Sequence, residues 1–106
     1  MSETFDLGHG HTAQFSCWKP DRGLNPQYEG IPDVERWGVI VGHPRPQGTP
    51  CIGSFATFDG PVQRQVHPSV PKWTVESLDP LTISPSLLCR DCGDHGFIRG
   101  GRWVPA

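Results

Sequence analysis

No stretch of this chain approaches the roughly 18 consecutive apolar residues that a membrane-spanning helix needs, so nothing in it is expected to cross a bilayer as a helix. A large excess of one charge is missing too. The formal net charge is -2 and the pI near 6.2, whereas a protein that works by coating nucleic acid or anionic lipid carries a strong positive excess. The start, Met1-Ser2-Glu3-Thr4-Phe5-Asp6, is acidic where a secretory leader would be basic. A cytoplasmic protein is the expectation, and with it cysteines that are reduced rather than paired. Neither a heptad nor an internal repeat is present, which argues against coiled-coil and solenoid architectures.

What the chain has in abundance is turn formers. Thirteen glycines and twelve prolines make up close to a quarter of its 106 residues, a level near which low-complexity disorder is suspected. They stand singly, however, between apolar clusters that share four tryptophans and five phenylalanines, so they punctuate a loop-rich fold. The length suits one domain, 1–106. Its core is modest at 35% hydrophobic residues, and a domain of this size is marginally stable from burial alone. A structural metal would add on the order of 10 kcal/mol.

Taken in order, residues 1–10 form an acidic, flexible start that ends in Gly8-His9-Gly10-His11, where His9 and His11 would share one face of a strand. A first strand follows over 12–18, with Cys17 as a small core residue. Prolines and glycines then make 19–34 a long loop, with Tyr28 and Trp37 near its ends as anchors or as contacts for a partner. A buried strand spans 35–41, and a proline-rich loop from Gly42 delivers Cys51. Asp59-Gly60 between 52–58 and 62–66 predicts a hairpin, with Pro61 marking an edge. The alternation over 72–78 predicts a strand with Trp73 and Val75 on one face. Ser84-Pro85 has the form of a helix start, a capping hydroxyl before proline, for a helix of one or two turns. Gly100-Gly101 closes a terminal hairpin between 97–99 and 102–104. The fold class is therefore mainly β: a small single domain of antiparallel strands and hairpins with one short helix.

The stretch with the most chemistry is Cys89-Arg90-Asp91-Cys92-Gly93-Asp94-His95. Two thiols with two residues between them, then glycine, then an imidazole, can be aimed by one tight turn at a single ion. The glycine lets backbone amides turn toward the sulfurs, which a Cβ would resist. A closed zinc site takes four ligands, and the set expected here is Cys51, Cys89, Cys92 and His95, with His43, His67 and Cys17 as alternates. Zinc would act as a structural staple in a knuckle-like or ribbon-like site. Two competing readings use the same cysteines: two disulfides in one of three pairings, and a C-x2-C redox pair.

Leu81-Thr82-Ile83-Ser84-Pro85-Ser86-Leu87, followed by Cys92-Gly93-Asp94-His95-Gly96-Phe97-Ile98-Arg99-Gly100-Gly101-Arg102-Trp103, resembles the ending of a small family of bacteriophage and bacterial proteins. The resemblance covers roughly 51–104 and implies a zinc-binding accessory protein, with some bacterial relatives encoded beside ubiquitin-like conjugation genes. Relatives tend to show two close cysteines in the first turn. Here only Cys51 stands there, and Cys89 is an extra cysteine beside Cys92.

Three functions compete. The first is a non-enzymatic zinc-stabilised module, phage-encoded and acting on a host or phage protein in the host cytoplasm; a thiolate-rich closed site has no open position to activate water. The second is nucleic-acid binding through Arg90, Arg99, Arg102 and Trp103, which could engage phosphates and stack a base, against the neighbouring Asp91 and Asp94. The third is a small metal-dependent hydrolase built from His9, His11 and His43 with Asp21 or Glu35, or a Cys17 nucleophile.

Overall fold

The computed structural model describes residues 4–21, 23–44, 50–89 and 93–106. Eight strands follow one another: β1 Thr4–Gly8, β2 His11–Trp18, β3 Val34–Pro44, β4 Pro50–Phe58, β5 Lys72–Leu78, β6 Leu81–Leu88, β7 His95–Arg99 and β8 Arg102–Pro105. Each lies beside its neighbour in sequence. The first four form one antiparallel meander and the last four another. The two are joined where Thr57 and Phe58 of β4 pair in parallel with Lys72 and Trp73 of β5. β8 comes alongside β1, so the sheet is nearly closed. No helix among the described residues is long and apolar enough to cross a membrane.

Two hairpins are set by residues that accept positive φ. His9 at 55° and Gly10 at 76° close β1 onto β2, and Gly100 at 58° and Gly101 at 73° close β7 onto β8. Both have the two-residue form whose left-handed centre matches strand twist. The N-terminal segment is thus strand over 4–8, and His9 sits in the turn rather than on a strand face with His11.

The short helix forms at a different place from the one its sequence signal predicts. Residues 84–88 belong to β6. Leu81, Ile83 and Leu87 are buried there with the odd spacing of a strand, while Pro85 is exposed where the register against β7 shifts between Ile83 and Leu87. A bulge leaves residues outside the ladder, so the missing proline N–H costs little. The α-helix is α1, Pro61–Val66, in place of the hairpin predicted at Asp59-Gly60. Pro61 fits the first turn of a helix, where its N–H has no partner to lose. Gln63 is the buried residue of α1 and donates from Nε2 to the Trp37 carbonyl at 3.4 Å. A helix here also meets the topology, since parallel strands need a crossover and cannot be joined by a tight turn.

The core lies between the two meanders. Leu7, Ala13, Val39, Val41, Ala56 and Phe58 from the first pack with Leu81, Ile83, Leu87, Ile98 and Trp103 from the second. Between β2 and β3, residues 26–28 make a single 3-10 turn. Tyr28 meets the edge of Trp18 at 5.5 Å, and Trp18 stacks on Trp37 at 5.0 Å, so these rings pin the long loop. Cys17 faces outward from β2 and is exposed, contrary to the expectation of a core thiol. Alternation alone would put position 17 on the core side with Phe15, and the β-bulge between Ser16 and Trp18 shifts the register and turns it away.

Candidate metal centre

Pairing of β3 with β4 sets His43 opposite Cys51. Opposed residues hold their Cβ atoms about 5 Å apart on one face, and this face is the inner one: His43 is 5% and Cys51 3% exposed. Cys89 arrives from the second meander, immediately after β6, and is fully buried. Its N–H donates to the Asp94 carbonyl at 2.8 Å, and the Gly93 N–H donates to the Cys89 carbonyl at 2.7 Å. Those two bonds tie Cys89 to Gly93 and Asp94. Gly93 takes φ +74° there, the left-handed conformation for which the glycine after the cysteine pair was singled out.

The Sγ atoms of Cys51 and Cys89 are 3.9 Å apart. A disulfide would hold them at about 2.05 Å, so these two sulfurs are not bonded to each other. With Zn–S near 2.3 Å, the edge of a tetrahedron between two sulfurs is about 3.8 Å. Two thiols in simple contact would stand at a similar separation, so the third donor carries the weight. A ring nitrogen of His43 joins the sulfurs, all three ligand atoms lying within 4.8 Å of one another. Two thiolates and an imidazole are a donor set that suits zinc among the common divalent ions.

The other sequence candidates are placed as follows. Cys92 lies outside the described residues. His95 is exposed on β7, its Nε2 2.7 Å from Ser86 Oγ, and it stands apart from the cluster. His67 follows α1 and meets the edge of Trp37 at 5.6 Å. The structure therefore brings Cys51 and Cys89 together and puts His43, not His95, beside them.

A second group adjoins the first and shares His43. Thr12 pairs with Gly42, so His11 and His43 come next on neighbouring strands, with ring centroids 5.5 Å apart. His11 is 6% exposed and stacks on Trp103 at 4.2 Å. Its Nδ1 is 2.8 Å from the His9 carbonyl and its Nε2 2.6 Å from Asp94 Oδ2. The same Asp94 oxygen is 3.5 Å from His43 Nδ1. Asp94 is a residue that the sequence pattern offers only as a negative charge beside arginines. Its role becomes visible through the hydrogen bond that its carbonyl accepts from the Cys89 N–H.

Trp103, a candidate base-stacking residue, is 2% exposed and sits in the core, so its face is not available to a base. Arg99 lies over Phe97 at 4.3 Å, and the Arg102 guanidinium packs against Gly8. Arg90 lies outside the described residues. Of the histidines considered for a hydrolase, His11 and His43 do meet, but the carboxylate beside them is Asp94 rather than Asp21 or Glu35. In comparisons with known proteins, no family model, curated protein or solved structure matches the chain.

Proposed function

We propose that this is a β domain stapled by one structural zinc ion, which works by binding another protein and not by catalysis at the metal. His43, Cys51 and Cys89 supply three ligands. Cys92, three residues beyond Cys89 in a C-x2-C pair, is assigned the fourth. A filled set of three thiolates and one imidazole leaves no position for an activated water. The observation that carries the reading is the 3.9 Å separation of two buried thiols from different meanders, with the buried His43 ring at the same point.

The partner reading is supported by the loop over 19–33, which is pinned by Tyr28 yet displays Leu24 at 80% exposure; recognition residues are commonly presented on loops held by a rigid scaffold. The resemblance to phage and bacterial proteins fits an accessory role of this kind in the host cytoplasm.

Elemental analysis of the purified chain and of Cys51→Ala, Cys89→Ala, Cys92→Ala, His43→Ala and His95→Ala tests the ligand set. One zinc per chain is expected for the wild type and for His95→Ala, with loss in the other four. Cobalt substitution tests the mechanism: a tetrahedral spectrum without an exchangeable water supports a closed staple, and a bound water that exchanges would overturn the non-catalytic reading.

A further inference from the structure

His43 belongs to two groups of donors, one with Cys51 and Cys89 and one with His11 and Asp94, and the second group has a use. We infer that Asp94, buttressed by His11, is a positioning residue that accepts the Nδ1–H of His43 and so presents Nε2 to the metal; this rests on the zinc reading above.

A metal-bound imidazole has one nitrogen left over, and what that nitrogen donates to fixes both the tautomer and the ring plane. Here Asp94 Oδ2 faces His43 Nδ1 at 3.5 Å, a gap that a small rotation of the carboxyl closes to a hydrogen bond. The carboxyl is itself held. A carbonyl oxygen only accepts, so His11 Nδ1 donates to His9 O at 2.8 Å. At 2.6 Å, one more proton lies between His11 Nε2 and Asp94 Oδ2. His11 in turn cannot swing away, because its ring lies flat against Trp103 with an interplanar angle of 10°. The Asp94 carbonyl meanwhile accepts from the Cys89 N–H at 2.8 Å. One residue therefore sets the aim of an imidazole ligand through its side chain and of a thiolate ligand through its backbone.

The alternative use of the same atoms is a second metal ion held by His11, His43 and Asp94. Two donors on one ion at about 2.1 Å from it stand about 3 Å or more apart, and the 2.6 Å contact between His11 and Asp94 is shorter than that. A shared proton fits it better.

Two measurements on the zinc-loaded full chain test the inference. Ring 15N shifts should show His43 protonated at Nδ1 and metal-bound at Nε2; binding through Nδ1 would overturn it. Competition against a chromophoric chelator should show zinc affinity falling 10- to 100-fold in Asp94→Ala and less in the near-isosteric Asp94→Asn. His11→Gln should weaken zinc on its own and add nothing once Asp94 is alanine, since it acts through that carboxyl. A purely structural role would lower the melting temperature of the metal-free chain while leaving affinity within twofold in both Asp94 variants, and that result would overturn the proposal. Far-UV circular dichroism confirms that each variant folds, and Asp94→Asn keeps the test open if the alanine variant does not. Wild-type chain that takes up no zinc sinks the metal reading itself, whereas wild type that binds zinc as tightly as both Asp94 variants sinks only the positioning role.

Discussion

Removing the metal should cost this domain more than any single side chain, and the size of the effect follows from where the ligands lie. Cys51 and Cys89 are 38 residues apart in sequence, and they belong to different meanders whose ladder contact, among the described residues, consists of the pairs Thr57 with Lys72 and Phe58 with Trp73. An ion joining them acts on the unfolded chain as a cross-link. Closing a loop of that length removes about 13 cal/mol/K of chain entropy, about 4 kcal/mol at 25 °C, by the relation used for disulfides. A domain of roughly 100 residues shifts its Tm by about 4 °C per kcal/mol, so complete chelation should lower Tm by about 15 °C or more. The assay is a thermal melt by circular dichroism at fixed protein concentration, with saturating zinc and with a strong chelator, metal content being verified in each sample. Stability should also keep rising by about 1.4 kcal/mol per decade of free zinc, as mass action requires of a ligand that binds only the folded state. A shift below about 3 °C in demonstrably metal-free protein, or a Cys51→Ala variant that melts with the zinc-loaded wild type, would refute the cross-link.

The remaining predictions concern sites around that joint. Gly96→Ala places a Cβ 2.6 Å from the Trp103 ring and 2.7 Å from the Val104 carbonyl, an overpacking expected to cost about 1 to 3 kcal/mol; an unchanged urea midpoint would contradict this packing. Metal-free protein treated with a mild two-electron oxidant should form a Cys51–Cys89 disulfide, because the sulfurs stand only 3.9 Å apart and need close by less than 2 Å to bond. Peptide mapping should find that cross-link in the metal-free chain and not in the zinc-loaded one, and equal oxidation of both would count against zinc at these thiols. At the surface, the Arg64 hydrogen bonds hold the Asp59 carboxyl below its ordinary range. Its contribution is therefore present at neutral pH and is lost as pH falls through that lowered value. It should be small and salt-sensitive in so exposed a pair, and Asp59→Asn should flatten that part of the acid limb of the stability profile; identical acid limbs would remove the pair from consideration.

Much of the fold is legible because strands with one buried face alternate. Lys72–Leu78 is bounded as its pattern predicts, and Gly100-Gly101 makes the turn its type requires. The helix is misplaced for a physical reason: proline after a small residue opens a helix equally well at Gly60-Pro61 and at Ser84-Pro85. What separates the two sites is long-range. Leu81, Ile83 and Leu87 have a core of partners from the first meander waiting for them in strand spacing, so residues 84–88 continue β6 and absorb the proline in a bulge. After Phe58 the chain must reach a parallel neighbour, and only a crossover can do that.

The metal site divides in the same way. Cys51 and Cys89 can be singled out from sequence because one closes a glycine- and proline-rich stretch and the other opens a C-x2-C pair, both of which suit a metal ligand. The preference for His95 over His43 comes from counting along the chain, where two residues lie between Cys92 and His95 and seven lie between His43 and Cys51. In a hairpin, chain distance is the wrong measure. Strands β3 and β4 pair Pro44 with Pro50 and then His43 with Cys51, so two residues distant along the chain become cross-strand neighbours on one face. His95 falls on the opposite parity from the buried Gly96 and Ile98 of β7 and is carried outward to Ser86. Period two therefore decides which imidazole can reach the thiols. The same rule predicts that a single-residue insertion between Pro50 and Cys51 would turn the thiol to the outer face and abolish metal uptake, while an insertion at the Gly100-Gly101 turn would leave it intact.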